Sequence, residues 1–336
     1  MNGWIILDKP LGLGSTQAVG AVKRVCREAG LGKVKVGHGG TLDPLASGVL
    51  PIALGEATKL CGRMLDASKI YAFTIAFGTQ TDGLDAEGEV VASSDVRPTL
   101  ADIAAVLPRF TGPIEQVPPA YSAIKIDGQR AYDLARRGEV VEMKARSVTV
   151  HSLSILPETG RGTNEAGGGA PSAECALETL RKPPVPLHHP ADGPPPRAGE
   201  DLDSVTLIAH VSKGTYIRSL ARDIAQAVGT VGHVTMLRRT KAGPFTLDHA
   251  ISLDKLNAFG QGAAQSEVIL PLEAGLVDIP ALNLSPEAAG AIRQGRVWTG
   301  VATDDGLYWG RDGDNRPIAL IEALAGTLKV LRGFNL

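Results

Sequence analysis

The 336-residue sequence is 43% hydrophobic and 21% charged, a composition typical of a globular protein rather than a disordered chain. No apolar run approaches the roughly 18 residues of a membrane-spanning helix, and the N-terminal segment lacks the basic leader and apolar stretch of a secretory signal. Cys26, Cys61 and Cys175 show no C-x-x-C spacing, which argues against structural zinc and fits a reducing compartment. We therefore expect a cytoplasmic protein.

The net charge of −2 hides an uneven distribution along the chain. Residues 1–78 carry 9 Lys and Arg against 5 Asp and Glu, and residues 205–245 carry 6 against 1. Residues 79–104 are acidic, with 1 basic residue against 6 acidic ones. Two basic segments in a nearly neutral protein are compatible with a local site for a polyanion.

Hydrophobic patterning predicts a mixture of strands and helices along the chain. In chain order we predict strands at 4–7, 49–54, 71–77, 89–91, 121–129, 147–153, 205–211 and 233–239, and helices at 15–29, 56–65, 100–107 and 215–228. Ser15 or Thr16 is expected to cap the first helix, and the strands at 147–153 and 205–211 are expected to pair. Short strand-like segments from residue 279 onward predict a small β-rich C-terminal domain.

Pro, Gly and Ala dominate residues 157–203, between the two strands that we expect to pair. Such a segment buries too little apolar surface to offset its ordering entropy, so we predict a mobile insertion. It contains the pair His188 and His189, but no acidic or thiol ligand lies at a suitable spacing, and we expect no metal site there.

The segment 37–51 has the composition of a preorganised catalytic loop. It holds an imidazole, a carboxylate and four glycines between two apolar runs, and it begins Gly37-His38-Gly39-Gly40-Thr41-Leu42-Asp43-Pro44. Glycine permits positive φ and close approach of a ligand, while Pro44 disfavours the α region for Asp43 and so restricts where its carboxylate points. Asp43 is the strongest candidate for a catalytic residue.

Several common chemistries lack their sequence signals. The sequence contains no G-x-G-x-x-G after a strand, no G-x-x-x-x-G-K-[ST] and no H-E-x-x-H. These absences remove the usual support for a dinucleotide enzyme, a nucleotide triphosphatase and a zinc protease.

Eight motifs, in this order along the chain, resemble those of the TruB family of tRNA pseudouridine synthases. They are Leu7-Asp8-Lys9-Pro10, Gly37-His38-Gly39-Gly40-Thr41-Leu42-Asp43-Pro44, Leu54-Gly55-Glu56-Ala57-Thr58-Lys59, Lys69-Ile70-Tyr71, Gly78-Thr79-Gln80-Thr81-Asp82, Tyr121-Ser122-Ala123-Ile124-Lys125, Lys213-Gly214-Thr215-Tyr216-Ile217-Arg218 and Leu237-Arg238-Arg239. The resemblance covers nearly all of residues 3–245.

The resemblance implies an α+β fold: a pseudouridine synthase catalytic domain with a mainly antiparallel mixed sheet, and a small β-rich, PUA-like C-terminal domain. We expect the catalytic domain at 1–156 and 204–250, the insertion at 157–203, a connecting segment at 251–278 and the RNA-binding β domain at 279–336. The insertion is longer than the family's usual connection. In the C-terminal domain the expected RNA contacts are Arg293, Arg296 and Arg311.

The family's reaction breaks the N-glycosidic bond of a uridine, rotates the base and rejoins it through C5, with neither a metal nor an organic cofactor. The resemblance therefore implies that this chain needs no cofactor. The resemblance implies that Asp43 is the catalytic aspartate, acting as a nucleophile or as a base at the ribose, and both mechanisms stay open. Arg218 is expected to be its counter-ion, since a nearby cation favours the charged carboxylate. Tyr71 would stack on the uracil and assist loss of the C5 proton, and Leu237 would supply apolar wall.

The implied substrate is the T loop of tRNA, from which the target uridine must be flipped out before Asp43 reaches it. His38 would occupy the space that the base vacates, and Tyr216 would contact substrate. Basic residues are candidates for phosphate contacts: Lys9, Lys69, Arg238 and Arg239. Asp82 and Asp85 are expected to brace turns. We expect a monomer with tRNA as its partner and no membrane or metal.

Three rival functions remain at this point. An RNA-binding folding chaperone would use the same surface to bind tRNA, with the chemistry incidental. A related pseudouridine synthase acting on another RNA would share the Asp43 chemistry. A glycosidase is disfavoured because the Asp43 loop contains no second acid.

Overall fold

The computed structural model describes residues 1–126, 128–139, 141–156, 201–262 and 264–336. The chain divides into two compact units, a terminal unit of Met1–Ala67 and Lys241–Leu336 and a central unit of Ser68–Thr240. The predicted insertion lies outside the described residues, apart from 201–203.

The terminal unit begins with two strands that pair antiparallel with a third. Its first elements are β1 (Gly3–Lys9), α1 (Ser15–Glu28), β2 (Val36–His38), β3 (Ala46–Leu54), a 3₁₀ helix (Gly55–Leu60) and α2 (Cys61–Asp66). β3 pairs with both β1 and β2. Trp4 of β1 is fully buried, packs its ring 5.3 Å from that of Phe245 and donates its indole N–H to the Leu272 carbonyl at 3.0 Å. This aromatic pair anchors the unit's core.

The central unit is a sheet packed against helices. Its elements are β4 (Lys69–Phe77), β5 (Thr79–Thr81), β6 (Val90–Ser93), α3 (Leu100–Val106), a 3₁₀ helix (Leu107–Phe110), β7 (Gly112–Gln116), β8 (Lys125–Ile126), β9 (Gln129–Arg130), α4 (Ala131–Arg136), β10 (Arg146–Ile155), β11 (Ser204–Val211), α5 (Ile217–Ala227) and β12 (Gly232–Ala242), whose last two residues belong to the terminal unit. The strand order is β12-β4-β11-β10-β7. Leu220 and Ile224 of α5 join Phe73, Ile75 and Leu207 of the sheet in one buried cluster.

The remainder of the terminal unit contains a second sheet. Its elements are β13 (Phe245–Thr246), 3₁₀ helices at Leu247–His249, Gln265–Glu267 and Leu272–Gly275, α6 (Leu253–Gly260), β14 (Ala281–Asn283), α7 (Pro286–Arg293), β15 (Trp298–Thr299), β16 (Gly306–Arg311), β17 (Pro317–Leu324) and β18 (Thr327–Gly333). The sheet order is β14-β16-β17-β18-β15, with β14 parallel to β16 and the other pairs antiparallel. Within the described ranges, no helix has both the length and the apolar character needed to cross a membrane.

The α+β class, the mainly antiparallel sheet and the β-rich C-terminal region are confirmed. The pairing of the strands on either side of the insertion is also confirmed, because β10 and β11 form an antiparallel ladder. The compact units follow other boundaries than the predicted domains, which stay a prediction.

Two predictions of local structure are wrong. The strand predicted at 121–129 reduces to β8 and the start of β9, because its backbone groups bond elsewhere: the Ser122 carbonyl accepts from Tyr132 N–H and the Ile124 carbonyl from Ala131 N–H. The predicted cap of α1 is also wrong, since Gly14 holds the N-cap position and the Ser15 side chain bonds outside the helix.

Candidate active site

In the terminal unit, the backbone on both sides of Asp43 is held by hydrogen bonds. The Ser15 hydroxyl donates to the Leu42 carbonyl at 2.8 Å and accepts from the Leu42 N–H at 2.8 Å. The Pro44 carbonyl accepts from the Gly12 N–H at 2.9 Å, and the Asp43 carbonyl accepts from the Ala46 N–H at 3.0 Å. The half-buried Asp43 therefore stands on a fixed backbone, as a preorganised catalytic carboxylate requires.

Lys9 is a second residue that hydrogen-bonds to the backbone of the Asp43 loop. It is fully buried, and its ammonium group donates to the carbonyls of Pro10 at 2.9 Å, Leu13 at 2.7 Å and Pro44 at 3.3 Å. These charge-assisted bonds offset part of the cost of burying the cation. Lys9 therefore joins the Pro10–Leu13 turn to the Asp43 loop, and its expected contact with a substrate phosphate stays a prediction.

His38 ends β2 at the entrance to the loop. Its Nδ1 accepts from the Gly40 N–H at 3.4 Å, which favours the tautomer with the proton on Nε2. Gly39 is held by its N–H, which donates to the Pro51 carbonyl at 2.8 Å. A Cβ at residue 39 would lie only 2.5 Å from the Met64 Cβ, so this position requires glycine for close packing against α2.

In the central unit, Arg218 pairs with a carboxylate that the sequence reasoning assigned only to a turn. Arg218 lies on α5 with 8% of its side chain exposed, and its Nη1 donates to Asp85 Oδ2 at 2.9 Å and to the Gly83 carbonyl at 2.8 Å. Its Nη2 donates to the Tyr121 carbonyl at 2.9 Å. These bonds fix the guanidinium plane. The expected pairing of Arg218 with Asp43 stays a prediction.

Asp85 has two roles in this arrangement. Its Oδ1 accepts from the Glu87 N–H at 3.2 Å, which is the expected turn contact, while its Oδ2 holds Arg218. The position of Asp85 in the sequence did not indicate its ion pair with Arg218. The available signal was that Asp85 lies in the polar segment directly after the Gly78–Asp82 motif.

Asp82, in the same polar turn as Asp85, raises the pKa of the Tyr121 side chain. Its Oδ1 accepts from the Gly83 N–H at 2.7 Å, and its hydrogen bond with the Tyr121 side chain raises the pKa of that phenol. Desolvation and the negative charge of Asp82 act in the same direction. Tyr121 is therefore kept as the neutral hydrogen-bond donor.

Tyr216 is held by Gln116, a residue that the sequence analysis did not single out. The Gln116 amide accepts from the Tyr216 N–H at 2.8 Å and donates to the Tyr216 carbonyl at 3.1 Å, and Gln116 is only 1% exposed. Tyr216 is the N-cap residue of α5, the helix that carries Arg218. Arg146 lies over the Tyr216 ring, 5.7 Å from its centroid. The two hydrogen bonds from Gln116 therefore hold the residue at which α5 begins.

The other predicted residues of the central unit differ in burial. Tyr71 and Leu237 are partly buried and pack against the same hydrophobic cluster, and the roles expected of them stay predictions. Lys69 is 7% exposed and Arg239 is 1% exposed, while Arg238 is half-buried. The phosphate contacts expected of Lys69 and Arg239 stay predictions, and both side chains are largely withdrawn from the surface. Arg238 remains a candidate.

Among the residues that the structure describes, no cluster of three or more His, Cys, Asp and Glu side chains is arranged to hold a metal ion.

Two family models match the chain. One, described as TruB family pseudouridylate synthase (N terminal domain), matches residues 27–164, and the other, described as tRNA pseudouridylate synthase B C-terminal domain, matches residues 218–277. A relative from Novosphingobium aromaticivorans, named tRNA pseudouridine synthase B, is 62% identical over 100% of this chain and 98% of its own length. A relative of the same name from Zymomonas mobilis is 50% identical over 100% of this chain and 96% of its own length.

Solved structures share the fold. A chain of the structure titled "Structure of H/ACA RNP bound to a substrate RNA containing 2'-deoxyuridine" aligns with a TM-score of 0.66 at 23% identity, covering 99% of this chain and 85% of its own. A chain of the structure titled "Crystal Structure of a Cbf5-Nop10-Gar1 Complex" aligns with a TM-score of 0.64 at 25% identity, covering 99% of this chain and 84% of its own.

Full-length identity and two matching family models define the class of enzyme. The chain belongs to the TruB family of pseudouridylate synthases, which are isomerases. This confirms the family expected from the eight sequence motifs.

Proposed function

We propose that the protein converts the T-loop uridine of tRNA, position 55, to pseudouridine, with Asp43 as the catalytic carboxylate. The observation that carries the proposal is the 62% identity, over the whole chain, to a protein named tRNA pseudouridine synthase B. The rigid backbone around Asp43 supports it, because a catalytic carboxylate acts best when its position does not have to be found during the reaction.

The chemistry requires no external atoms. The bond between N1 and the ribose C1′ breaks, the uracil rotates, a bond forms between C5 and C1′, the C5 proton leaves and N1 gains a proton. In the proposed mechanism Asp43 acts as a nucleophile or as a base at the ribose, and Tyr71 stacks on the uracil and assists loss of the C5 proton. Leu237 lines the apolar side of the base.

Arg218 is proposed to stabilise negative charge during the reaction, including that of Asp43. Its bonds to Asp85, Gly83 and Tyr121 support this role, because they hold the guanidinium in one orientation. Preorganised charge of this kind requires no reorganisation when the transition state forms.

The proposed substrate contacts are of two types. His38 is proposed to fill the space left by the flipped base, and Tyr216 and Arg238 to contact the surrounding RNA. Further candidates are the exposed Arg130 and Arg136, which lie over the Tyr132 ring at 5.9 and 5.4 Å from its centroid. Paired cationic and aromatic side chains suit phosphate binding and base stacking in single-stranded loops.

The test uses the purified protein and an unmodified tRNA transcript, without added metal or cofactor. Pseudouridine is mapped by carbodiimide-dependent reverse-transcription stops and by mass spectrometry. We expect product at the T-loop uridine alone, and Asp43→Asn to abolish it while tRNA affinity stays close to wild type, because affinity rests on phosphate and base contacts. Asp95→Asn is the matched control, since Asp95 is an exposed loop carboxylate.

Each rival function has its own outcome in this test. Product at the wild-type level from the Asp43→Asn variant would refute the role of the carboxylate. Tight tRNA binding with no pseudouridine, together with faster tRNA folding, would favour the chaperone. Pseudouridine formed in a ribosomal RNA fragment but not in tRNA would favour the synthase of another RNA.

A further inference from the structure

Ser15 makes an unusual pair of hydrogen bonds to a single residue next to Asp43. One hydroxyl both donates to the carbonyl and accepts from the N–H of Leu42, each at 2.8 Å. Ser15 is 5% exposed and Leu42 is 3% exposed, so water does not readily substitute for either bond. The hydroxyl therefore satisfies two buried backbone groups immediately before Asp43.

The first turn of α1 does not use this hydroxyl. Gly14, not Ser15, occupies the N-cap position, and its N–H donates to Gln17 Oε1 at 2.7 Å. A serine at a helix start ordinarily bonds the backbone N–H groups of its own helix. Here the hydroxyl instead reaches a residue 27 positions along the chain. Its function lies in the Asp43 loop rather than in the helix.

The peptide units on the other side of Asp43 are held by different atoms. The Pro44 carbonyl accepts from Gly12 N–H and from Lys9 Nζ, and Pro44 itself restricts the backbone of Asp43. With Leu42 held by Ser15, both flanking residues are fixed. Removing the Ser15 hydroxyl would release the restraint on the Leu42 side of Asp43.

We propose that Ser15 is a positioning residue for catalysis, which holds the Leu42 backbone so that the Asp43 carboxylate meets the uridine in a reactive orientation. The inference rests on the proposed role of Asp43. It assigns to Ser15 an effect on turnover rather than on RNA binding, because Ser15 is buried and its hydroxyl bonds to the Leu42 backbone.

The test compares Ser15→Ala with the wild type and with Ser252→Ala. Ser252 caps α6 in the same unit by accepting from the Lys255 N–H at 3.2 Å, so its loss removes a hydroxyl–backbone bond away from the Asp43 loop. Three quantities are measured: kcat on unmodified tRNA, the Kd for tRNA, and hydrogen exchange of the Leu42 amide. Ser15→Cys is included because a thiol is a weaker donor and acceptor in the same place.

We expect Ser15→Ala to lower kcat by about 10- to 100-fold, since a displacement near 1 Å costs on the order of 100-fold. The Kd should stay within about threefold of wild type, because binding rests on phosphate and base contacts. The Leu42 amide should exchange slowly in the wild type and faster in the variant. Ser252→Ala should leave all three quantities close to wild type.

Three results would overturn the proposal: rapid exchange of the Leu42 amide in the wild type, an unchanged kcat in Ser15→Ala, or a loss of tRNA affinity that accounts for the whole effect. If Ser15→Ala does not fold, Ser15→Cys must still lower kcat at constant Kd, and an unchanged kcat there overturns it. A wild-type protein that makes no pseudouridine, or an active Asp43→Asn variant, would instead refute the proposed function.

Discussion

Replacing Gln116 with leucine tests how much its two hydrogen bonds to the Tyr216 backbone contribute to the stability and activity of the protein. The change keeps a buried side chain of similar size but removes both hydrogen bonds to the Tyr216 backbone. The Tyr216 N–H would be left unsatisfied, which costs about 1–3 kcal/mol. The Tyr216 carbonyl would still accept from the Leu220 N–H at 3.0 Å. Leucine recovers part of this through the hydrophobic effect. We therefore expect the free energy of unfolding to fall by about 1–3 kcal/mol.

Urea denaturation followed by fluorescence measures this change, and steady-state kinetics on tRNA measures its functional effect. Because Tyr216 begins the helix that carries Arg218, kcat should fall as well. Gln226→Leu is the matched control, since it makes the same chemical change at an exposed position of α5 and should alter stability by less than about 0.5 kcal/mol. If Gln116→Leu were as stable and active as that control, the hydrogen bonds between Gln116 and Tyr216 would not stabilise the protein, and this prediction would be wrong.

Three further changes test other contacts. Asp85→Asn removes the charged partner of Arg218 and should lower kcat by at least about tenfold by kinetics on tRNA, with unchanged turnover counting against a fixed guanidinium. Gly39→Ala should destabilise the protein by about 1–3 kcal/mol in urea through its clash with Met64, whereas Gly62→Ala, where a Cβ meets open space, should not. Burial raises the pKa of the Cys61 thiol, so less thiolate is present at a given pH. In a Cys26→Ser, Cys175→Ser background, its alkylation rate should reach half-maximum above about pH 8.5, and a midpoint at or below that pH would contradict the burial argument.

The sheet strands were predictable because their patterns are local. Residues 71–77 are rich in β-formers and appear within β4, and the ranges 147–153 and 205–211 appear within β10 and β11. Their pairing across the insertion followed from the rule that chain-adjacent strands tend to pair. The second sheet was predicted as a β-rich region, although its order was not.

Helix α7 was missed although its signal was present. Ser285 accepts from the Ala288 N–H, and Pro286 occupies the first helical position, so the sequence carried a standard helix start. The strand at 121–129 failed for a different reason. Its carbonyls at Tyr121 and Ser122 accept from Arg218 and Tyr132, and these partners come from distant or non-extended segments that a local pattern does not reveal.

Burial of the basic residues could not be read from the sequence. A lysine in a basic segment is typical of a phosphate contact, yet Lys9 is fully buried and bonds three carbonyls. Arg239 is likewise withdrawn from the surface. Charge counting gives the sign of a segment, whereas the direction of each side chain depends on its register in the strand and on long-range packing.

Both compact units contain the same type of contact between a side chain and the backbone. In each, one buried polar side chain bonds the N–H and the carbonyl of a single residue in a functional motif: Ser15 with Leu42, and Gln116 with Tyr216. Such a bond pair restrains both the N–H and the carbonyl of one residue, and so restrains the backbone beside Asp43 and at the start of α5. Both backbone groups of Leu42 and the N–H of Tyr216 lie outside helix and sheet ladders, where they would be costly to bury without these bonds. Loops that must be both irregular and rigid need partners of this kind, and the partners lie 27 and 100 residues away in the sequence. Substitutions far from Asp43 and Arg218 in sequence should therefore alter turnover as strongly as substitutions beside them.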